Sequence, residues 1–470
     1  MFLINCPVIK LNFKKFMLQS ARKIHIIGIG GIGVSALAKL LARRGITITG
    51  SDLIESSVTK DLEFDGQRIF IGHTAENVPS DCDLIIYSPA VPENNSERVA
   101  ARERGLPELS YPEALGELTK EFRTIAVAGT NGKSTTTAML GLILEEAGFD
   151  PTVIVGTKVP TFKHGNMREG KGGSWLVVEA CEYREHFLNL HPEFAVITNI
   201  EEDHFDYFRD LDHIREAFQK FVDKVPEIGR VIFNADDLTC HSLVYKNSVS
   251  FGEHNGEYRA VNRISGLGQQ TFELWLDDSH LGDIVLQVPG QFNVMNAMAA
   301  AVTALVIGVP FGAIQVGLEK FFGVWRRFER VGNFRGAEVF SDYGHHPTAI
   351  KATLEAAREF FPGRRIVLCF QPHQHERAKS MFNDFVEALS GADVLILPEI
   401  FEVAGRTEDT DVSSNDLVMA IKEKFPTKEV VFASNLSAAE QLLNTVIQEN
   451  DVLIVQGAGD VDNLARRIVL

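Results

Sequence analysis

The sequence predicts an α/β protein built as three successive domains, and three observations predict it. Two Gly-rich stretches each follow a short apolar run and precede a segment of helical period, the first within Lys23–Arg44 and the second within Thr124–Ala147. The last third, beyond Trp325-Arg326-Arg327-Phe328, alternates short apolar runs with amphipathic segments. Strands alternating with helices in this way build parallel sheets. At 470 residues the chain is also too long for one ordinary core.

The expected units are an N-terminal extension at 1–22 and domains at 23–120, 121–324 and 325–470. The extension has no clear partner in the rest of the chain, and Met17 offers an alternative start. Lys23–Ile29 (KIHIIGI) then reads as a strand ending in Gly28-x-Gly30-x-x-Gly33, with a helix through Arg44. A second strand, Thr47–Gly50, ends at Ser51-Asp52, which puts an acid about 20 positions past the glycines. Glycine lets the backbone approach a diphosphate, and an acid there reaches a ribose, so the unit is Rossmann-like. The pattern does not specify the nucleotide, and glycine also serves strand–helix packing alone. Further strands are expected at Arg68–Gly72 and Leu84–Ser88, with a Pro-bracketed loop after Ser88. Tyr111–Glu121 reads as a connector.

The second unit opens on TIAVAGTNGKSTTT, Thr124–Thr137. A buried strand at Thr124–Ala128 meets a loop of Gly129, Thr130, Asn131 and Gly132. Lys133-Ser134-Thr135 then starts a helix with apolar positions at Leu140, Ile143, Leu144 and Ala147. This is a phosphate cradle of P-loop type. Its N–H groups and helix dipole face an anion, Lys133 reaches the outer phosphates, and Ser134 is placed to ligate Mg²⁺. The spacing is shorter than the general pattern, since Val127 stands at the first glycine position.

Ser174–Ala180 is another strand and ends in Glu179, where a carboxylate beside a phosphate loop suits Mg²⁺. Ala195–Ile200 comes next, and the acidic loop after it holds Glu201, Glu202, Asp203, His204 and Asp206. In that setting a metal or substrate role for His204 gains weight over a structural one. Residues 250–290 read as an antiparallel meander, and Asn293–Ile307 as an Ala-rich helix with Asn293 and Asn296 at its start. Asn293 is a candidate N-cap.

The third unit has expected strands at Glu338–Tyr343, Arg365–Phe370, Asp393–Pro398, Glu429–Ala433 and Asp451–Gln456. Their ends carry Asp342-Tyr343-Gly344-His345-His346-Pro347, Gln371-Pro372-His373 and Gly457-Ala458-Gly459-Asp460, the edge where open α/β sheets bind ligands.

Composition narrows the class. A formal net charge of −17 argues against a general nucleic-acid or anionic-membrane surface. No run of 18 apolar residues appears, so no transmembrane helix is expected. Cys6, Cys82, Cys181, Cys240 and Cys369 are scattered and lack C-x-x-C spacing, which suits reduced thiols of the cytoplasm.

The motifs GIGGIGVSALA with GSD, AGTNGKSTTTAM, VVEACEYREHFLNLHP and AVITNIEEDHFDYF succeed one another from Lys23 onward. PGQFNVMNAMAA, GVWRRFERVG, SDYGHHPTAI, FQPHQHERA and QGAGD continue the series toward the C-terminus. In this order they resemble the Mur ligase family of ATP-dependent amide-bond ligases. The resemblance implies a Rossmann-like UDP-sugar domain, a central ATPase and a C-terminal Rossmann-like domain. It implies ligation of L-alanine to the lactyl carboxylate of UDP-N-acetylmuramate through an acyl phosphate, in peptidoglycan precursor synthesis, by a monomer or homodimer.

By the same resemblance Gly28, Gly30, Gly31, Gly33, Asp52, His73 and Ser88 would bind the UDP-sugar. Gly129, Thr130, Asn131, Gly132, Lys133, Ser134, Thr135, Asn293, Asn296, Arg327 and Asp342 would bind ATP. Ser134, Glu179 and His204 would serve Mg²⁺, with Lys133, His204 and Arg327 catalytic. Tyr343, His346 and Arg377 would meet the amino acid, and His345 lies among them.

Three positions depart from the family pattern. Gln374 stands where many members have arginine near the incoming amino acid. Cys181 replaces an aspartate, and Asn131 replaces a histidine. A sibling ligase that joins a preformed tripeptide to the same sugar nucleotide stays open, as does a non-catalytic UDP-sugar sensor. A nicotinamide-dependent oxidoreductase would rest on the first glycine pattern alone and leave the second loop unexplained.

Overall fold

The computed structural model describes residues 17–202, 204, 207–402 and 411–470. The expectations for residues 1–16, with Cys6, and for Asp203 and Asp206 lie outside the described residues. Three sheets succeed one another along the chain.

The first comprises β1 (Lys23–Ile27), β2 (Thr47–Asp52), β3 (Arg68–Ile71), β4 (Leu84–Tyr87) and β5 (Glu108–Ser110). All pair in parallel, in the order β3-β2-β1-β4-β5. Ile24, Ile26 and Ile27 of β1 are fully buried, as expected of a central strand covered on both faces. The strand order reverses between β1 and β4, which opens a crevice at their carboxyl ends. The Gly28–Gly33 loop leaves β1 there and Ser88 leaves β4, so the switch point brings them together. A Cβ on Gly28 would lie 2.8 Å from Ser88 Cβ.

The expected connector after β5 is instead a helix, Tyr111–Thr119. Ser110 and Glu113 form a capping box with Pro112 in the first turn, a start signal that the short apolar run concealed.

The second sheet has ten strands in the order β15-β14-β13-β12-β11-β10-β6-β9-β7-β8. They are β6 (Arg123–Ala128), β7 (Thr152–Ile154), β8 (Met167–Arg168), β9 (Trp175–Glu179), β10 (Phe194–Ile197), β11 (Arg230–Asn234), β12 (Ser248–Gly252), β13 (Tyr258–Gly266), β14 (Gln269–Leu276) and β15 (Ser279–Leu286). The meander is β13–β15, antiparallel among themselves and attached to the sheet by a parallel pairing with β12. The short β7 and β8 carry too few residues for periodicity to reveal.

On one face lie the helices Lys133–Glu146 and Gln291–Val306, sharing an apolar core. The second of these is capped by Gly290, so Asn293 is not the N-cap but sits in the first turn. A glycine at φ 88° takes the cap because the chain arrives from Pro289 in a conformation that side chains resist.

The third sheet runs β16 (Glu329–Phe334), β17 (Ala337–Asp342), β21 (Val452–Gln456), β18 (Ile366–Phe370), β19 (Val394–Pro398) and β20 (Glu429–Ala433). Among its described strands only β16, which periodicity did not announce, pairs antiparallel.

Candidate active site

In the second sheet β6 lies between β9 and β10, so the loops after these three strands meet at one carboxyl edge. The loop after β6 turns through Gly129 (φ 140°) and Gly132 (φ 84°). Close contacts enforce both glycines. A Cβ on Gly129 would lie 2.0 Å from Thr198 Oγ1, and one on Gly132 2.1 Å from Asn296 Oδ1.

The loop is braced from behind by the segment after β10. Thr130 N–H donates to Asn199 O (2.9 Å), Asn131 N–H donates to Asn199 Oδ1 (2.9 Å), and Thr198 Oγ1 donates to Asn131 O (2.5 Å). The Lys133–Glu146 helix has no side-chain cap, so its opening N–H groups stay available to an anion.

Lys133 Nζ donates to Gly129 O (2.6 Å), Thr130 O (3.1 Å) and Glu182 Oε1 (3.0 Å). Glu182 is buried, and His204 Nε2 lies 3.6 Å from the same oxygen. Burial alone pushes the Glu182 carboxyl up. The hydrogen bond from His204 and the charge of Lys133 outweigh it and hold Glu182 below the usual carboxylate range. His204 itself has φ 55°, unusual for a residue with a side chain, and its ring lies 4.8 Å from that of Tyr183.

Glu179 faces the other side of the loop. Its Oε2 accepts from Ser134 Oγ (2.9 Å) and from Gly156 N–H (2.8 Å). The structure thus joins Ser134 to Glu179 and His204 to Lys133 through Glu182. No three His, Cys, Asp or Glu side chains converge as a metal cluster among the described residues.

Asn293 and Asn296 are buried against the loop. Asn293 Nδ2 donates to Pro289 O (2.7 Å), and Asn296 Nδ2 to Asn293 Oδ1 (3.2 Å).

In the third domain Arg327 is exposed, on a turn whose neighbours are anchored. Arg326 donates to Gly457 O and Gly459 O, and its guanidinium lies 4.8 Å from the Tyr343 ring. Asp342 accepts from Phe328 N–H (2.9 Å), Gly344 N–H (2.8 Å) and Gln456 Nε2 (3.1 Å). Burial pushes its carboxyl above the ordinary range against those bonds and the charge of Arg327. Asp342 therefore braces the turn that carries Arg327.

His346 caps the Pro347–Phe360 helix, with Nδ1 accepting from Thr348 N–H. Arg377 Nη1 is buried without a hydrogen bond among the described residues, and Gln374 takes a φ of 69°. Tyr343 is 41% exposed, its ring 5.3 Å from that of His345.

At the first loop Gly30 N–H donates to Asp52 Oδ2 (2.8 Å), and a Cβ there would lie 2.8 Å from that oxygen. His73 Nδ1 lies 3.0 Å from Ser51 Oγ. Gly31 caps the Ile32–Arg43 helix, and Gly33 leaves room for the Tyr111 hydroxyl, 2.7 Å from where its Cβ would be.

A cavity of about 230 Å³ runs from Gly33 to Glu179, the partner of Ser134, and is lined also by Tyr111, Gly156, Cys181 and His186 among others. Burial, with Glu182 nearby, pushes the Cys181 thiol up to about 11, so the cavity presents a neutral thiol.

Sequence reasoning passed over Glu182, Thr198, Asn199 and Tyr111. Glu182 had a signal, standing in the same strand-end loop as Glu179. The Thr198-Asn199 brace had none, because its bonds from side chain and backbone reach the backbone of a loop distant in sequence.

Three family models match in chain order: the Mur ligase family catalytic domain over residues 23–123, the Mur ligase middle domain over 127–304, and the Mur ligase glutamate ligase domain over 326–459. A UDP-N-acetylmuramate–L-alanine ligase of Clostridium novyi is 40% identical over 454 residues, covering 95% of this chain and 97% of the relative. The crystal structure of UDP-N-acetylmuramate–alanine ligase from Thermotoga maritima superposes with a TM-score of 0.83 at 32% identity, covering 95% of this chain and 98% of that one. A murein peptide ligase from Psychrobacter arcticus shares the fold at a TM-score of 0.65 and 24% identity, with coverages of 95% and 98%.

Proposed function

The chain belongs to the Mur ligase family, and we infer that it is an ATP-dependent enzyme joining L-alanine to the lactyl carboxylate of UDP-N-acetylmuramate in peptidoglycan precursor synthesis. The observation that carries this reading is likeness along the whole chain to ligases of that name, at 40% identity over 95% of its length.

The residues at the three strand ends fit an ATP phosphate chain. They supply an uncapped helix N-terminus, two glycines that allow close approach, and a lysine held by loop carbonyls and one carboxylate. On phosphate binding Lys133 exchanges Glu182 for phosphate oxygens, and Glu182 keeps its bond to His204. Ser134 and Glu179 offer the oxygen donors that Mg²⁺ takes, with His204 completing the set by family resemblance. Bound there, Mg²⁺ would neutralise phosphate charge.

The first loop holds the diphosphate of the sugar nucleotide, with Gly28, Gly30, Gly31 and Gly33 admitting it, and Asp52, His73 and Ser88 lining the crevice. The cavity between Gly33 and Glu179 directs the lactyl arm toward the Ser134 side of the second loop. The lactyl carboxylate attacks the γ-phosphate, breaking its bond to the β-phosphate to give an acyl phosphate and ADP, and the amine of L-alanine then attacks the acyl carbon and expels phosphate. Lys133 and Arg327 stabilise the charge that grows on the transferred oxygens. With His204 engaged by Glu182 and by Mg²⁺, the proton of the amine passes to a neighbouring acid. Asn293 and Asn296 hold adenine, and Asp342 sets the Arg327 turn toward the ribose side. Tyr343, His346 and Arg377 receive the amino acid, and Arg377 Nη1, which has no hydrogen bond among the described residues, is a donor for its carboxylate. Closure of the third domain excludes water that would hydrolyse the acyl phosphate. The described residues include no helix long and apolar enough to cross a membrane. Nucleotide substrates suit a reaction in the cytoplasm.

The test is phosphate release with ATP, Mg²⁺ and UDP-N-acetylmuramate, screened against L-alanine, glycine, L-serine and the stem tripeptide, with product mass. Turnover with L-alanine is expected. Turnover with the tripeptide alone would move the enzyme to the recycling branch, and none with any acceptor would make it a sensor.

A further inference from the structure

A buried polar cluster lies behind the first loop and has no part in the phosphoryl chemistry. Glu97 is fully buried in the first turn of the Ser96–Glu103 helix, capped by Asn95. One of its oxygens receives Ser51 Oγ at 2.5 Å and His25 Nε2 at 3.3 Å, and the other receives Asn77 Nδ2 at 2.6 Å. His73 Nδ1 lies 3.0 Å from Ser51 Oγ and 3.4 Å from Glu97 Oε1. Burial pushes the Glu97 carboxyl up, but the bonds from His25, Ser51 and Asn77 outweigh it and hold it below the usual range. At neutral pH the group is a carboxylate and can only accept.

The donors come from segments that border the glycine loop. Ser51 is the penultimate residue of β2, and its carbonyl accepts Gly28 N–H (2.8 Å) and Ile29 N–H (3.0 Å). Asn77 and His73 flank the turn after β3, and Asn77 Nδ2 also donates to Gly72 O (3.0 Å). An uncompensated buried carboxylate is costly, and apolar side chains would hold these segments without that cost. What the carboxylate adds is proton placement. Ser51 has one hydroxyl hydrogen, and the 2.5 Å contact puts it on Glu97. Ser51 Oγ must then accept from His73, so Nδ1 of His73 carries the hydrogen. In the neutral ring the lone pair is left on Nε2. The His73 side chain is 11% exposed, at the open end of the sheet.

We propose that Glu97 is a positioning residue for the nucleotide-sugar: through Ser51 it holds His73 with its hydrogen on Nδ1, so that Nε2 presents an acceptor to an N–H of the base or an O–H of the ribose. The inference builds on the reading that the first loop binds the UDP-sugar. It goes beyond that reading in naming the group that sets the polarity of the contact.

The test joins two measurements on the full chain. Nitrogen NMR of histidine-labelled protein reads which ring nitrogen of His73 carries hydrogen. Calorimetry with UDP reads affinity. Wild type should show hydrogen on Nδ1, and Glu97→Gln should move it to Nε2 or mix the two. UDP affinity and the apparent affinity for UDP-N-acetylmuramate should fall about tenfold, the cost of one hydrogen bond with its partner left unpaired. Both kcat and KM for ATP should stay within about twofold. If Glu97→Gln does not fold, Ser51→Ala decides, since it removes the relay and leaves Glu97 its other donors. N3-methyl-UDP and 2′-deoxy-UDP separate the base from the ribose as donor: the weaker binder identifies it, and His73→Ala should erase the difference.

An unchanged His73 tautomer would overturn the inference. So would a parallel change in kcat and every KM together with the melting temperature, which a merely structural role produces. Absence of UDP binding by wild-type protein would instead overturn the reading of the site.

Discussion

The two glycine-rich loops of this chain begin alike and end differently. Each comes after a central parallel strand and opens a buried helix, and in each a carboxylate holds a donor that a phosphate would otherwise meet. In the first loop the donor is a backbone N–H, Gly30, held by Asp52 from the tip of β2. In the second it is a side-chain cation, Lys133, held by the buried Glu182. The first loop has no lysine and is backed by hydrogen-bonded polar groups, which suits the unreacting diphosphate proposed for it. The second has a charge on a flexible stem, which can track a phosphoryl group as it moves. Glycine lets the backbone turn tightly against its neighbours in both, and on the proposed reading the placed cation separates binding from chemistry.

Four substitutions sharpen or break that contrast, in descending order of expected effect. Lys133→Ala should lower kcat by at least about 10²-fold, the usual cost of one transition-state donor, while UDP-N-acetylmuramate still binds by calorimetry. Near-native turnover would remove the chemical role of the second loop.

Glu179→Gln withdraws one charge from the Ser134 side. The Mg²⁺ concentration for half-maximal activity should rise about tenfold. An unchanged Mg²⁺ titration would mean that Glu179 serves only Ser134 and Gly156.

Gly30→Ala places a methyl 2.8 Å from the Asp52 carboxylate, which can rotate away. KM for UDP-N-acetylmuramate should rise about fivefold with kcat nearly constant. A matching drop in kcat would erase the distinction between the loops.

The smallest effect is on stability. Glu182 titrates below its unfolded value of about 4.3, so its contribution is present above that pH and is lost as pH falls through the folded value. In thermal melts the gap between wild type and Glu182→Gln should be open at pH 7 and close below about pH 4. A gap that widens in acid would reverse the sign assigned to Glu182.

Much of this was legible in the chain. Strand, glycine turn and helix are local patterns with strong physical causes, and the two loops, Glu179 and the third-domain strand ends could be read in order. The helix at Tyr111–Thr119 was hidden by its length, although its capping box was visible in Ser110 and Glu113. The N-cap expected at Asn293 moved to Gly290 because backbone conformation, and not hydrogen-bonding capacity alone, selects the cap. Glu182 was passed over because neighbouring acids on one loop look alike until the sheet assigns them directions. Glu179 points to Ser134 and Glu182 to Lys133.

The order of elements, the parallel character of the sheets and the chemistry available at each strand end were set by local sequence, since periodicity, glycine and charge act over a few residues. Which strands stand side by side was decided by the tertiary structure. Placing β9 and β10 on either side of β6, and β4 beside β1, puts Glu179, Asn199 and Ser88 against loops 45 to 68 residues away. Sheet order depends on burying whole faces of strands and helices together, a property of the complete chain that no single stretch contains.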